Sequence, residues 1–141
     1  MARPRRFTPG GVPQHVCNRG SRKGMLFHDD GDYIAFLRLV AEARQTYPVR
    51  ILALCLMPNH WHFLLWPTND DDVPWFMKWL TGTHANYYRW KTNSQGQGAV
   101  YQSRYQDTVI EDSFHLAIAW RYVELNPVKA RLVRMPEEWR W

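Results

Sequence analysis

The stretch VRILALCLM-PN-HWHFLLW, residues 49–66, constrains the fold more than any other part of the chain. Two apolar runs of strand length are joined by Pro58-Asn59, a turn-forming pair, and so predict a β-hairpin. The first run, 49–57, is apolar on both faces and predicts a central strand. In the second, 60–66, side chains alternate. Trp61, Phe63 and Leu65 fall on one face, and His60, His62 and Leu64 on the other.

What surrounds the hairpin follows from three acidic clusters: DDGD at 29–32, NDDD at 69–72 and ED at 111–112. Each precedes a segment of apolar periodicity. We read them as helix N-caps and first-turn charges rather than as metal clusters. They mark helices over 31–46, 72–91 and 112–125. QHVCNRG (14–20) and YQDTVI (105–110) read as the remaining strands. The order is β-α-β-β-α-β followed by one helix. This predicts an α+β, ferredoxin-like chain: an antiparallel four-stranded sheet with two helices on one face. The added helix is expected to pack across the open face.

The length of 141 residues suits one domain over 1–141, with 1–12 as a basic arm. Cys17 and Cys55 form no zinc pattern and predict reduced core residues of a cytoplasmic protein. The basic start has no apolar segment behind it, and the apolar run 51–57 is too short to span a bilayer. Lys and Arg number 18 against 13 acids, and eight tryptophans accompany them. A basic, Trp-rich chain suggests a polyanion carrying flat groups, which describes single-stranded nucleic acid. Most of those tryptophans read equally well as core.

Two imidazoles at i, i+2 on one strand face are spaced to grip a metal ion, or to serve as hydrogen-bonded residues. A zinc hydrolase or deaminase would need a third His or paired Cys and a Glu. Neither H-x-E nor P-C-x-x-C occurs. Oxygen ligands completing the shell would suit Mg²⁺ or Mn²⁺, an ion well made for polarising a phosphate. On the last helix, Leu116, Trp120 and Val123 form a stripe that can dock on the sheet. Tyr122 and Asn126 lie four apart on an adjacent stripe. Pro127 disfavours helical backbone at Asn126, so the helix is expected to end there. Tyr122 alone reads also as a packing residue.

Three segments together, HVCNRGSRKGMLFHDDGDYIAFL, LCLMPNHWHFLLWP and RYVELNPVKARLV, resemble the REP-associated tyrosine transposases, which are single-tyrosine HUH nucleases. The resemblance runs from about Arg5 to Trp141. It implies a ferredoxin-like sheet carrying the HUH element His60-Trp61-His62, with Tyr122 as nucleophile and Asn126 as third metal ligand. It implies cleavage of single-stranded DNA hairpins, the repetitive extragenic palindromes, through a 5′-phosphotyrosine link. It also implies bound Mg²⁺ or Mn²⁺. The basic residues then take DNA-binding roles: Arg3, Arg5 and Arg6 in the arm, Arg19, Arg22 and Lys23 after the first strand, Arg104 before the fourth, and Arg121, Lys129, Arg131 and Arg134 around the tyrosine helix. Family members tend to run past the W-R-W, so 134–141 is expected to be a shortened tail. Monomer and homodimer both remain open.

Two other classes compete with a metal-dependent strand transferase. A domesticated, non-cleaving hairpin-binding protein would not need His60, His62, Tyr122 and Asn126 together. A small-molecule metallohydrolase would need an acid/base Glu near the histidines and no basic arm.

Overall fold

The computed structural model describes residues 8–141, so the arginines at 3, 5 and 6 lie outside the described residues. The elements are β1 (Gln14–Arg19), α1 (Asp30–Thr46), β2 (Val49–Met57), β3 (His60–Pro67), α2 (Asp72–Thr92), β4 (Gln106–Val109) and α3 (Ser113–Lys129). Single 3₁₀ turns occupy Ser21–Lys23 and Pro136–Glu138. The β-α-β-β-α-β order and the final helix match the expectation. All strand pairs are antiparallel, and the order across the sheet is β2-β3-β1-β4.

The hairpin forms as expected, but β2 stands at an edge rather than at the centre. Its two-sided apolar character has another cause. α1 and α2 cover one face of the sheet, and α3 packs on β2 and β3 from the other. A bulge between Ile51 and Ala53 also switches its alternation. Thus Val49, Ile51, Leu54 and Leu56 join the main core, while Ala53, Cys55 and Met57 pack with Val123 of α3. The edge itself is covered by the C-terminal segment. Trp139 Nε1 donates to Leu56 O at 2.9 Å, and Leu56 N donates to Trp141 O at 3.2 Å. Pairing of this kind blunts an otherwise sticky edge.

Beneath the helices, Trp61, Phe63 and Leu65 are fully buried, as their alternation predicted. They meet Phe36 and Val40 of α1 and Phe76, Met77 and Leu80 of α2. Asp29 caps α1 by accepting from Asp32 N at 2.9 Å, and Asp112 caps α3 by accepting from His115 N at 2.8 Å. The middle cluster works differently. Asp71 has left-handed backbone and makes no cap hydrogen bond from its side chain. Asp70 instead accepts from Gly10 N at 2.7 Å, and Asp72 accepts from Asn69 N at 2.8 Å. The first of these ties the segment before β1 to the start of α2.

α3 runs through Pro127 to Lys129, so Asn126 does not end it. Val123 and Pro127 are buried against the sheet side, and Ala130 N closes the next turn on Asn126 O at 3.0 Å. Tertiary packing outweighs the local bias against a helical residue before proline. Of the docking stripe, Val123 is buried, while Leu116 and Trp120 are half-buried. Among the described residues no helix is long and apolar enough to cross a membrane.

Candidate active site

β1 and β3 are the two central strands, and their register assembles the site. Cys17 lies opposite His62 and Arg19 opposite His60. His60 and His62 face the α3 side, with ring centroids 5.2 Å apart and planes at 86°. Each has its Nδ1 engaged. His60 Nδ1 is 2.7 Å from Asn59 Oδ1, and His62 Nδ1 is 3.0 Å from His15 Nε2. A carbonyl partner requires His60 to carry its proton on Nδ1. Nε2 of both rings is thereby left for a ligand.

Burial keeps these imidazoles neutral. It lowers the pKa of His15, and with the Arg19 guanidinium it lowers that of His60. His62 is pushed down to about 3, first by burial and then by His15, His60 and Arg19. Neutral imidazole is the form that binds metals. The Cys17 thiol is raised by burial, partly opposed by Arg19. It is only half-buried, so it lines the site rather than the core, whereas Cys55 is buried as expected.

α3 brings Tyr122 to the same place. Its ring lies 5.6 Å from His62 and 5.7 Å from His15 by centroid, edge-to-face with both. It remains 41% exposed, so a macromolecular substrate can reach it. Lys129 Nζ stands 4.8 Å from the Tyr122 ring centroid, a cation–π contact. Asn126 is buried one turn on, and its Nδ2 donates back to Tyr122 O at 2.9 Å. Among the described residues no hydrogen bond joins Asn126 to His60 or His62.

Two cavities meet at His62. One, of about 250 Å³, is lined by Arg19, His60, His62, Gln102 and Gln106. The other, of about 720 Å³, lies between β1, β4 and α3 and includes His15, His115 and Tyr122. Arg19 therefore joins the histidines and Lys129 joins the tyrosine. Arg22 and Lys23 sit exposed on the 3₁₀ turn, both with left-handed backbone. That turn backs the site, since Asn59 Nδ2 donates to Lys23 O at 3.3 Å. Arg104 is exposed beyond Ser103, Arg121 is exposed beside Tyr122 on α3, and Arg131 and Arg134 follow it on the surface.

The donor set fits a divalent ion. Two neutral imidazoles present Nε2 on one sheet face, each oriented by a partner at Nδ1, the usual arrangement of a metal-ligating histidine. A second trio is also close: donor atoms of His15, Cys17 and His62 lie within 4.8 Å of one another. For this trio the geometry favours a hydrogen bond. The His15 and His62 planes are 7° apart, and the 5.2 Å centroid separation is that of two rings meeting nitrogen to nitrogen in one plane. The two nitrogens point at one another across a shared proton rather than converging on an ion.

The sequence alone does not single out His15, Cys17 and Asn59 as site residues. His15 and Cys17 repeat the i, i+2 spacing of the histidine pair. Only the β1–β3 register shows that the two pairs adjoin. Asn59 reads as a turn residue until its side chain is seen on His60.

Residues 12–126 match the family described as Transposase IS200 like, and the chain belongs to that family. A Haemophilus influenzae protein carrying the name REP-associated tyrosine transposase is 27% identical over 117 residues. The match covers 77% of this chain and 66% of that relative's length. The fold matches the structure of a REP-associated tyrosine transposase bound to a REP hairpin, with a TM-score of 0.78 at 20% identity, over 100% of this chain and 81% of that one. It also matches a Deinococcus radiodurans transposase structure, with a TM-score of 0.59 at 18% identity, over 88% and 96% of the two chains.

Proposed function

We propose that this chain is a single-strand DNA endonuclease and strand transferase. In this reading it cleaves palindromic hairpins of the repetitive extragenic class, with Tyr122 as the nucleophile. The observation that carries the reading is the contact of an exposed tyrosine with one member of a neutral, oriented histidine pair, at 5.6 Å between the Tyr122 and His62 rings. The relative's name and the hairpin-bound structural match support the substrate class.

The chemistry is as follows. Tyr122 Oη attacks the scissile phosphorus, an Oη–P bond forms, and the P–O3′ bond breaks. The phenol proton leaves as the bond forms, and the departing 3′ oxygen gains one. The products are a 5′-phosphotyrosine and a 3′-hydroxyl. The covalent link retains the phosphodiester's energy, so a second 3′-hydroxyl can reverse the step on another strand. His60 and His62, with Asn126 supplying an oxygen, would hold Mg²⁺ or Mn²⁺, which when bound polarises the phosphate and offsets its developing charge. Spacing on α3 and the family resemblance support Asn126 in this role. The chain's own residues do the positioning. Asn59 and His15 fix the two imidazoles, Arg19 adds positive charge beside them and Lys129 beside Tyr122, and α3 holds the phenol in place.

The test is a covalent-adduct assay. Labelled single-stranded hairpin DNA is incubated with the protein and Mn²⁺ and run on a denaturing gel beside Tyr122→Phe. A protease-sensitive shifted band that requires Tyr122 is expected. Hairpins that bind without ever forming the band would instead establish a non-cleaving binding protein.

A further inference from the structure

A groove of about 560 Å³ lies between α2 and residues 99–105. Trp75, Lys78, Gly82 and Arg89 form one wall, and Tyr101 and Arg104 belong to the other. None of these but Arg104 entered the site above. The groove lies on the α2 side of the sheet, yet it shares two lining residues with the histidines' cavity. β4 pairs with β1 only over Gln14 to Cys17. The chain meets β1 again at its end, where Gln102 N donates to Arg19 O at 3.0 Å and Gly20 bridges Tyr101. Between these points residues 103–105 leave the ladder. Asn18 sits at that gap, its Nδ2 donating to Ser103 O at 3.1 Å. Asn18 and Ser103 line both this groove and the cavity of His60 and His62.

Three features give the groove its chemistry. Trp75 is 50% exposed, an aromatic face available for stacking, with Lys78 Nζ 5.2 Å from its ring. Lys78, Arg89 and Arg104 supply three cations, against Asp71 as the acid of the lining. The third feature is Gly82, in the interior of α2, where glycine is the least favoured residue after proline. Its φ is not positive, and a Cβ there would meet no atom within 4 Å. Neither backbone strain nor close packing asks for glycine at that position. Its effect is to leave the groove wall bare.

A flat group with a flanking negative charge matches this lining: the base stacks on an aromatic ring while cations take the backbone. In a duplex stem both base faces are already stacked, so an unpaired nucleotide is required. We propose that the groove takes an unpaired base of single-stranded DNA, stacked at Trp75, from the same strand as the phosphate held at His60 and His62. This rests on the DNA-cleaving function proposed above and adds a second point of strand recognition to it.

The experiment measures binding of a labelled hairpin with a single-stranded tail by fluorescence anisotropy at one salt concentration. Each tail position is replaced in turn by an abasic sugar. For the wild type, one abasic position is expected to weaken binding about tenfold. Gly82→Leu, which fills the groove, and Trp75→Ala should each lose about the same on intact DNA. The abasic position should then cost Gly82→Leu nothing further, since both changes remove one interaction. Trp90→Ala, an exposed tryptophan outside the groove, should bind as the wild type does. Melting curves show whether the variants are folded; if Gly82→Leu is not, Trp75→Ala with the abasic series decides. If the wild type binds and forms its adduct while both variants keep full affinity, or the abasic loss persists in them, the groove proposal is overturned and the function stands. If the wild type neither binds nor cleaves hairpin DNA, the functional reading falls and the groove proposal with it.

Discussion

His15 Nε2 meets His62 Nδ1 at 3.0 Å with the two ring planes only 7° apart. The contact is an in-plane hydrogen bond between neutral rings. When Nε2 of His62 binds a metal, its proton lies on Nδ1 and is donated to His15. Loss of such a supporting acceptor typically costs 10–100-fold in metal affinity. His15→Ala is therefore expected to weaken Mn²⁺ binding by about that factor in calorimetry, with partial recovery in His15→Gln. Unchanged affinity would reduce the contact to packing.

Arg19 and Lys129 flank the two halves of the site, one at the histidines and the other on the tyrosine ring. Each phosphate contact adds roughly one to the slope of log K against log salt. Removing either side chain should lower that slope by about one for hairpin DNA, while Tyr122→Phe should leave it unchanged. A slope indifferent to both cations would place the DNA backbone elsewhere.

His84 is fully buried under the sheet, where its Nδ1 is 2.5 Å from the Tyr101 hydroxyl. Burial lowers its pKa from 6.5 to about 4, against a smaller opposing pull from Asp32. The unfolded chain thus takes up a proton below pH 6.5 that the folded chain refuses. Stability from this group is complete above pH 6.5 and is lost as pH falls toward 4. The upper limit is about 3 kcal/mol. His15, His60 and His62 are shifted in the same direction and add to the loss. Denaturant unfolding of His84→Gln between pH 7 and pH 4 should show a flatter curve than the wild type. An equal slope would mean that His84 does not control the acid limb.

The same hydroxyl accepts from Trp61 Nε1 at 3.1 Å, so Tyr101 satisfies two buried rings. Tyr101→Phe leaves both without a partner at little change in volume. A loss of about 2–4 kcal/mol is expected from chemical denaturation. A loss below about 1 kcal/mol would show that water replaces the hydroxyl.

Trp139 hydrogen-bonds the β2 edge and packs on Cys55, Met57 and Val123. Trp139→Ala should cost about 2–3 kcal/mol. It should also raise aggregation on mild heating, read by light scattering, because it uncovers an edge strand. A variant that melts and scatters as the wild type does would show that the segment merely lies on the surface.

Much of this was legible along the chain because it depends on neighbours in sequence. Acidic caps, helical periodicity and the alternation of Trp61, Phe63 and Leu65 follow from backbone geometry over a few residues. They carried the element order, the two-helix face and the position of the histidine pair on the other face. The position of β2 was misread for the same reason. An apolar strand looks alike whether strands flank it or a helix and a tail cover it, and the bulge near Leu52 hides the alternation. Asn126 was expected at a helix end because proline's local bias is visible in sequence, while the burial of Val123 and Pro127 that outweighs it is not.

The sequence by itself determined which groups face together within each element: His60 with His62 on one strand, and Tyr122 with Asn126 on one helix. Tertiary structure alone decided what those groups meet. The β1–β3 register placed His15 and Cys17 against His62, and the docking of α3 on β2 brought Tyr122 over both imidazoles. Spacing within an element is fixed by backbone geometry. Pairing between elements distant in sequence depends on burying the whole core, and no local pattern encodes it.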